Sequence, residues 1–264
     1  MFKKPLPRNA LALVEQQVRK WKNQEKEDSL RAEKGPWPLI TMSREFGSLG
    51  AMVAQRSAQI LGFSFWDQEL VHAIAKETGA QEALLMSLDE ASRSHIEDYI
   101  NEALVGALST TIEYVRQVTR VVRSIARHGS AVVVGRGSQF ILEKTAALRV
   151  RAVCPFEMRV SGYAERKGLS LQEAERQVRE VERDRQSFIR RHYGREVGEP
   201  THYDLVINTG SLSVEIAAAT VVAAYRAKQN KNSRHVQTKW ICAFLHENKN
   251  ADDSKYHRRQ QGAG

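Results

Sequence analysis

The segment SREFGSLGAMVAQ, residues 43–55, carries Gly47 and Gly50 between a short apolar run at 39–42 and a helical pattern. A glycine-bearing turn from strand into helix can hold an anion. Its backbone N–H groups converge, glycine permits close approach, and the helix dipole favours negative charge. The chemistry this suits is phosphate binding. Arg44 and Ser48 are the local side chains able to add charge or a hydroxyl. Gly50 is followed by Ala51, Met52 and Val53, so the lysine and the Ser/Thr of the P-loop signature are missing. A plain strand-to-helix turn is the alternative reading.

A phosphate site without that lysine needs its charge from elsewhere, and arginine suits it because its planar fork meets phosphate bidentately. Arg136 lies between Gly135 and Gly137 and follows the apolar run AVVVG. That is the carboxyl end of a strand, where open α/β sheets bind ligands. Arg179, Arg183 and Arg190 fall at spacings of four and seven on one face of a helical stretch, opposite the stripe Val178, Val181, Phe188. They read equally as a solvated face with pairs such as Glu175–Arg179. Asp67 ends the run FSFW; it could orient an acceptor or a Mg²⁺-bound water, or cap the next helix. The histidines and cysteines show no metal-ligand spacing, so no protein-bound metal is expected.

The elements that position these groups follow from pattern. Apolar runs at 39–42, 63–66, 131–135, 148–155 and 203–210 alternate with helical stretches near 51–61, 68–78, 95–128, 156–167, 170–193 and 213–228. Short β-branched runs between helices imply a parallel sheet covered on both faces, an α/β fold in three layers. Ser170 and Glu173 form a capping box, and Gly194 can stop that helix. Residues 10–33 read as a polar helix with a thin apolar stripe (Leu11, Val14, Val18, Trp21) that docks on the core or a partner, and GPWP at 35–38 ends it.

With 264 residues, 42% of them hydrophobic, the chain can bury one substantial core. Two cysteines far apart point to a reducing compartment, and no apolar run reaches membrane-spanning length, so a cytoplasmic location is expected. The net charge of +9 is concentrated at the ends: residues 1–34 carry nine Lys/Arg against five Asp/Glu, and residues 229–264 seven against three. These basic flanks leave nucleic acid open as a partner but say little about the core's ligand. The chain divides into an N-terminal extension (1–34), a central domain (35–228) and a basic tail (229–264) that reads as disordered, the patch WICAFL apart.

The run ITMSREFGSLG followed by LGFSFWDQELV resembles the opening of the cytidylate kinase-like family, written I-S-R-[EQ]-[FY]-G-S-G-G-[RH]-E-I and then L-G-x-x-[FY]-[FYW]-D. The resemblance continues through VVVGRGSQFIL, LRVRAVCPFEMRV, the 170–194 helix and YDLVINTGSLS. It implies a P-loop NTPase-like fold with about five parallel strands and a helical lid near 170–200. It also implies transfer of phosphate from ATP, with Mg²⁺, to a nucleoside monophosphate such as CMP or dCMP. The loop residues Arg44, Gly47, Ser48 and Gly50 would hold nucleotide phosphate. Arg136 would bind the acceptor phosphate with Asp67, Arg116 and Arg179, and Arg183 and Arg190 would close over the transferred group. Leu49, Ala51, Met52, Gly137 and Ser187 depart from the family pattern. Leu49, Ala51, Met52 and Ser187 favour a second reading, a nucleotide-binding regulator without turnover.

Overall fold

The computed structural model describes residues 10–28, 38–103 and 110–229. The basic tail beyond Gln229 with its WICAFL patch, and the turn at 35–37, lie outside the described residues. Five strands form one parallel sheet: β1 (Leu39–Arg44), β2 (Ser64–Trp66), β3 (Ala131–Val134), β4 (Leu148–Val153) and β5 (Leu205–Asn208), in the order β2-β3-β1-β4-β5. β1 is flanked by β3 through Leu39↔Ala131 to Met42↔Val134 and by β4 through Ile40↔Leu148 to Arg44↔Ala152. The chain visits one side of β1 and then the other, so the crevice for a ligand opens beyond the carboxyl end of β1.

Both faces of the sheet are covered, which is why its central strands read as continuous apolar runs. On one face Leu39, Ala131 and Val133 join a core with α3 (Gln68–Lys76), α4 (Thr78–Met86) and α6 (Thr110–His128). α1 (Ala10–Asp28) docks onto that core through Ala10, Val14 and Trp21, with Leu11 and Val18 packed beside them. On the other face α2 (Gly50–Leu61) buries Val53, Ala54 and Ala58, and its start lies against Arg44 and Ala152. This is the three-layer arrangement that the alternation of elements implies, and the P-loop NTPase-like fold that the family resemblance implies.

The stretch expected as one helix over 95–128 is different. α5 begins at Glu90 and runs to Ala103, α6 begins at Thr110, and α4 precedes both. The turn at Ser87–Leu88, where Ser87 Oγ bonds back to Leu84 O at 2.6 Å, carries no glycine or proline and so left no signal. α8 (Phe156–Lys167) and α9 (Leu171–Tyr193) pack on each other through Val160, Tyr163, Ala174 and Val178. Ser170 caps α9 by accepting from Glu173 N at 3.2 Å, and Gly194 ends it in the left-handed conformation. The reciprocal half of the capping box is absent, because the Glu173 carboxylate takes Arg176 and Gln177 instead. After β5 comes α10 (Val214–Gln229); the described residues up to Val222 belong to one compact unit, and the last turns of α10 fall outside it.

Candidate functional site

The turn after β1 has the shape of a phosphate cradle. Gly47 sits at φ +87°, and a Cβ there would lie 3.0 Å from Arg159 Cβ. A Cβ at Gly50 would come within 2.6 Å of Arg44 Cβ and 2.7 Å of Ala152 Cβ. Both positions therefore require glycine. Leu49 between them adopts φ 57°, a left-handed conformation that costs a leucine about 1 kcal/mol. It opens α2 without a side-chain cap. Ser48 braces the loop rather than facing outward: Oγ donates to Glu45 O at 2.9 Å and accepts from Gly50 N at 3.4 Å. Thr209 Oγ1 fastens the loop from behind by donating to Ser48 O at 2.6 Å.

On the β3 side of the loop, arginines converge. Arg44 ends β1 and donates to Gln68 Oε1 at 2.7 Å, its guanidinium lying where a side chain at Gly135 would have to go. Burial and the neighbouring Arg185 push its pKa down to about 9, so it keeps its charge at neutral pH. Arg185, on α9, reaches Arg44 O with its NH1 at 3.4 Å and lies over the Phe46 ring at 5.1 Å. Burial is also the main cause that lowers the pKa of Arg185, with Arg136 adding to it. Arg136 takes φ 55° between two left-handed glycines, and its backbone oxygen accepts from Tyr193 OH at 2.7 Å. Its guanidinium faces the rings of Tyr114 at 5.9 Å and Phe188 at 5.7 Å. The Nε atoms of Arg136 and Arg185 are both buried without a hydrogen-bond partner. Gly137, one of the departures from the family pattern, is required by Tyr193, whose ring fills the space of any side chain there.

Asp67 is the N-cap of α3, its Oδ1 accepting from Leu70 N at 2.8 Å. It lies close enough, with Glu69, to counter part of the charge on Arg44. Arg116 sits on α6 within electrostatic reach of Glu97, whose pKa it helps to lower. Arg179, Arg183 and Arg190 occupy the outer, exposed face of α9. Arg179 pairs with Glu175 at 2.8 Å, and Arg190 holds Glu196 with two bonds of 2.8 and 3.0 Å. These three are not brought to the loop with Arg44 and Arg136.

Sequence reasoning missed the residues that α9 does bring there. Arg185 interrupts the inward stripe of Val178, Val181 and Phe188 at heptad spacing, and a cation in an apolar stripe was the available signal. Glu182, also inward, accepts from Phe46 N at 2.7 Å. Arg159 on α8 bridges it, 3.5 Å from Glu182 Oε2 and 3.5 Å from Glu45 Oε2. Buried Arg151 adds a contact to Glu45 at 3.7 Å and a hydrogen bond to Ser43 Oγ at 3.1 Å.

Residues 39–211 match the sequence profile of the cytidylate kinase-like family. The chain belongs to that family. Among its relatives, the cytidylate kinase of Pyrococcus horikoshii is 32% identical over 187 residues, spanning 70% of this chain and 87% of the relative. The cytidylate kinase of Methanothrix thermoacetophila is 26% identical over 190 residues, 72% of this chain and 98% of that one. An uncharacterized protein from Eubacterium ventriosum shares the fold, with a TM-score of 0.56 at 19% identity over 72% of this chain and 98% of that chain. Within this cytidylate kinase-like frame the chain is nucleoside monophosphate kinase-like. No described helix is long and apolar enough to cross a membrane.

Proposed function

We propose that the protein transfers a phosphoryl group from Mg·ATP to a nucleoside monophosphate, CMP or dCMP. The observation that carries this is the convergence of Arg44, Arg136 and Arg185 at the sheet's switch point. Three cations held this close repel one another, and two retain unpartnered Nε atoms. A polyphosphate relieves both costs at once.

In this reading Arg136 fixes the acceptor phosphate so that its oxygen lies in line with the γ-phosphorus. Arg44 and Arg185 spread their charge over the transferred group, taking the part of the missing lysine. N–H groups of Gly47, Leu49 and Ala51, which find no acceptor among the described residues, hold donor phosphate oxygens. Alignment and electrostatic stabilisation account for most of such a reaction, since it asks little covalent chemistry of the protein. Arg183 and Arg190, on the outer face of α9, join this work only through a rotation of that helix.

The arginine cluster fits the phosphates, and Asp67 and Glu69 are carboxylates close to it. Among the described residues no three His, Cys, Asp or Glu side chains group to hold a metal, and the Ser48 hydroxyl is turned to Glu45 O. Magnesium would arrive on ATP and neutralise part of the phosphate charge.

One observation favours the regulator reading: the Glu182 carboxylate already occupies the Phe46 N–H of the loop. Phosphoryl transfer from Mg·ATP, by product detection across CMP, dCMP, UMP, AMP and GMP, separates the two. Turnover of a cytidine nucleotide that falls about 10²–10³-fold in Arg136→Ala is the expected result. No turnover in folded, ATP-binding protein would leave the regulator.

A further inference from the structure

The cradle is not an open anion site, because the chain supplies an anion of its own. Glu182 reaches from α9 to within 2.7 Å of Phe46 N, the loop N–H that adjoins those of Gly47 and Leu49. Its carboxylate is largely buried, 15% exposed, and Arg159 holds it at 3.5 Å. The same Arg159 donates to Cys154 O at 2.9 Å and Phe46 O at 3.2 Å, so the guanidinium that anchors the carboxylate also shapes the loop. Three residues further along α9, Arg185 donates to Arg44 O at 3.4 Å and stacks on Phe46. One helix thus places both a carboxylate and a cation on the same loop.

The consequence concerns the order of events at this site, and it rests on the nucleotide-binding reading above. We infer that Glu182 is an internal competitor for phosphate, and that a nucleotide enters the loop by displacing it. A phosphate oxygen and a carboxylate cannot share the Phe46 N–H, and two anions at that distance repel. Entry of the nucleotide therefore breaks the Glu182–Phe46 contact while the phosphate gains Arg185 from the same helix. Rearrangement of α9 is coupled to phosphate charge: the more highly charged the ligand, the more it gains from Arg44, Arg136 and Arg185 when Glu182 withdraws. In the absence of nucleotide the carboxylate keeps the loop N–H satisfied and the arginine cluster partly neutralised.

Calorimetric binding of ATP and of inorganic pyrophosphate to the full chain tests this, with wild type beside Glu182→Gln and Arg136→Ala. Glutamine keeps the shape and an acceptor oxygen but removes the charge. Both ligands should bind about tenfold more tightly to Glu182→Gln, the worth of one displaced charge-assisted hydrogen bond. Glu182→Asp retains the partner for Arg159 but is one methylene too short to reach Phe46 N, so it should also bind more tightly, by less. It serves if the glutamine variant does not fold. Unchanged or weaker binding in these variants, with wild type still binding and Arg136→Ala not, would overturn the competitor and leave the nucleotide site standing. No binding by wild type or either Glu182 variant would overturn the nucleotide site, and the competitor with it.

Discussion

Two groups of buried ionised side chains flank the tip of β1, and they are balanced differently. On the β4 side Arg151 and Arg159 meet Glu45 and Glu182, and Cys154 N adds a hydrogen bond of 2.9 Å to Glu45. Each charge there has an opposite one, and the backbone fills the remaining valences. On the β3 side Arg44, Arg136 and Arg185 share only partial compensation, from Asp67 and Glu69 and, at Arg185, from Glu182, and Asp67 is also spent on capping α3. A balanced network fixes the shape of a loop. An unbalanced one stores repulsion that a ligand of opposite sign can release, which is why strained charge of this kind marks a binding site.

The largest contrast should appear on removing one cation from each side. Arg159→Met leaves Glu45 and Glu182 buried without their shared partner, and should destabilise the fold by about 3–5 kcal/mol. Arg185→Met removes repulsion and replaces the guanidinium with apolar volume beside Phe46, so its stability should stay within about 1 kcal/mol of wild type or exceed it. Pyrophosphate binding should nonetheless fall at least about tenfold in Arg185→Met. Urea denaturation of both variants reads the comparison directly. Equal losses would mean that the arginine cluster is as structural as the ion-pair network.

The sheet side of this comparison was legible in the sequence. The apolar runs predict every strand of the sheet, and the glycines at 47, 50, 135 and 137 mark turns where backbone or side chain approaches closely. The capping role of Asp67 and the Glu175–Arg179 pair are also local, one turn of chain each, and local spacing suffices to read them. What was hidden are long-range meetings: Glu182 with Phe46, Arg159 with Glu45, Arg185 with Arg44. Spacing along α9 shows which residues share a face, but not what that face lies against. The stripe of exposed arginines is legible from spacing alone, whereas the inward position of Arg185 beside Phe46 is not.

A further buried group shows what the protein does with a charge it can give up. His128 ends α6 with its ring stacked on Trp21 at 3.8 Å and its Nε2 2.7 Å from Ser87 Oγ. Burial lowers its pKa to about 4, so it stays neutral where the arginines cannot. The unfolded chain binds that proton near pH 6.5 and the folded one only near 4, so falling pH favours unfolding across this window. The contribution should reach about 3 kcal/mol by pH 4 and vanish above neutrality. Thermal melts from pH 7 to 4 should show this slope in wild type and a flatter one in His128→Gln. A slope that persists unchanged in the variant would show that His128 is not the source of the acid sensitivity.

The smallest effects are expected from the outer face of α9. Arg179 and Arg190 are occupied by Glu175 and Glu196, and Arg183 is exposed beside them. If the inner face does the phosphate work, Arg183→Ala and Arg190→Ala should leave acceptor KM and kcat within about twofold of wild type, since exposed ion pairs contribute little. Rotation of α9 on nucleotide binding predicts another pattern: kcat falls about 10²-fold while KM is unchanged, because the contact would exist only in the transition state. That split would assign the inner arginines to ground-state binding and the outer ones to the transferred group. The imbalance at the tip of β1 would then describe the helix before it closes, with Glu182 still on the loop.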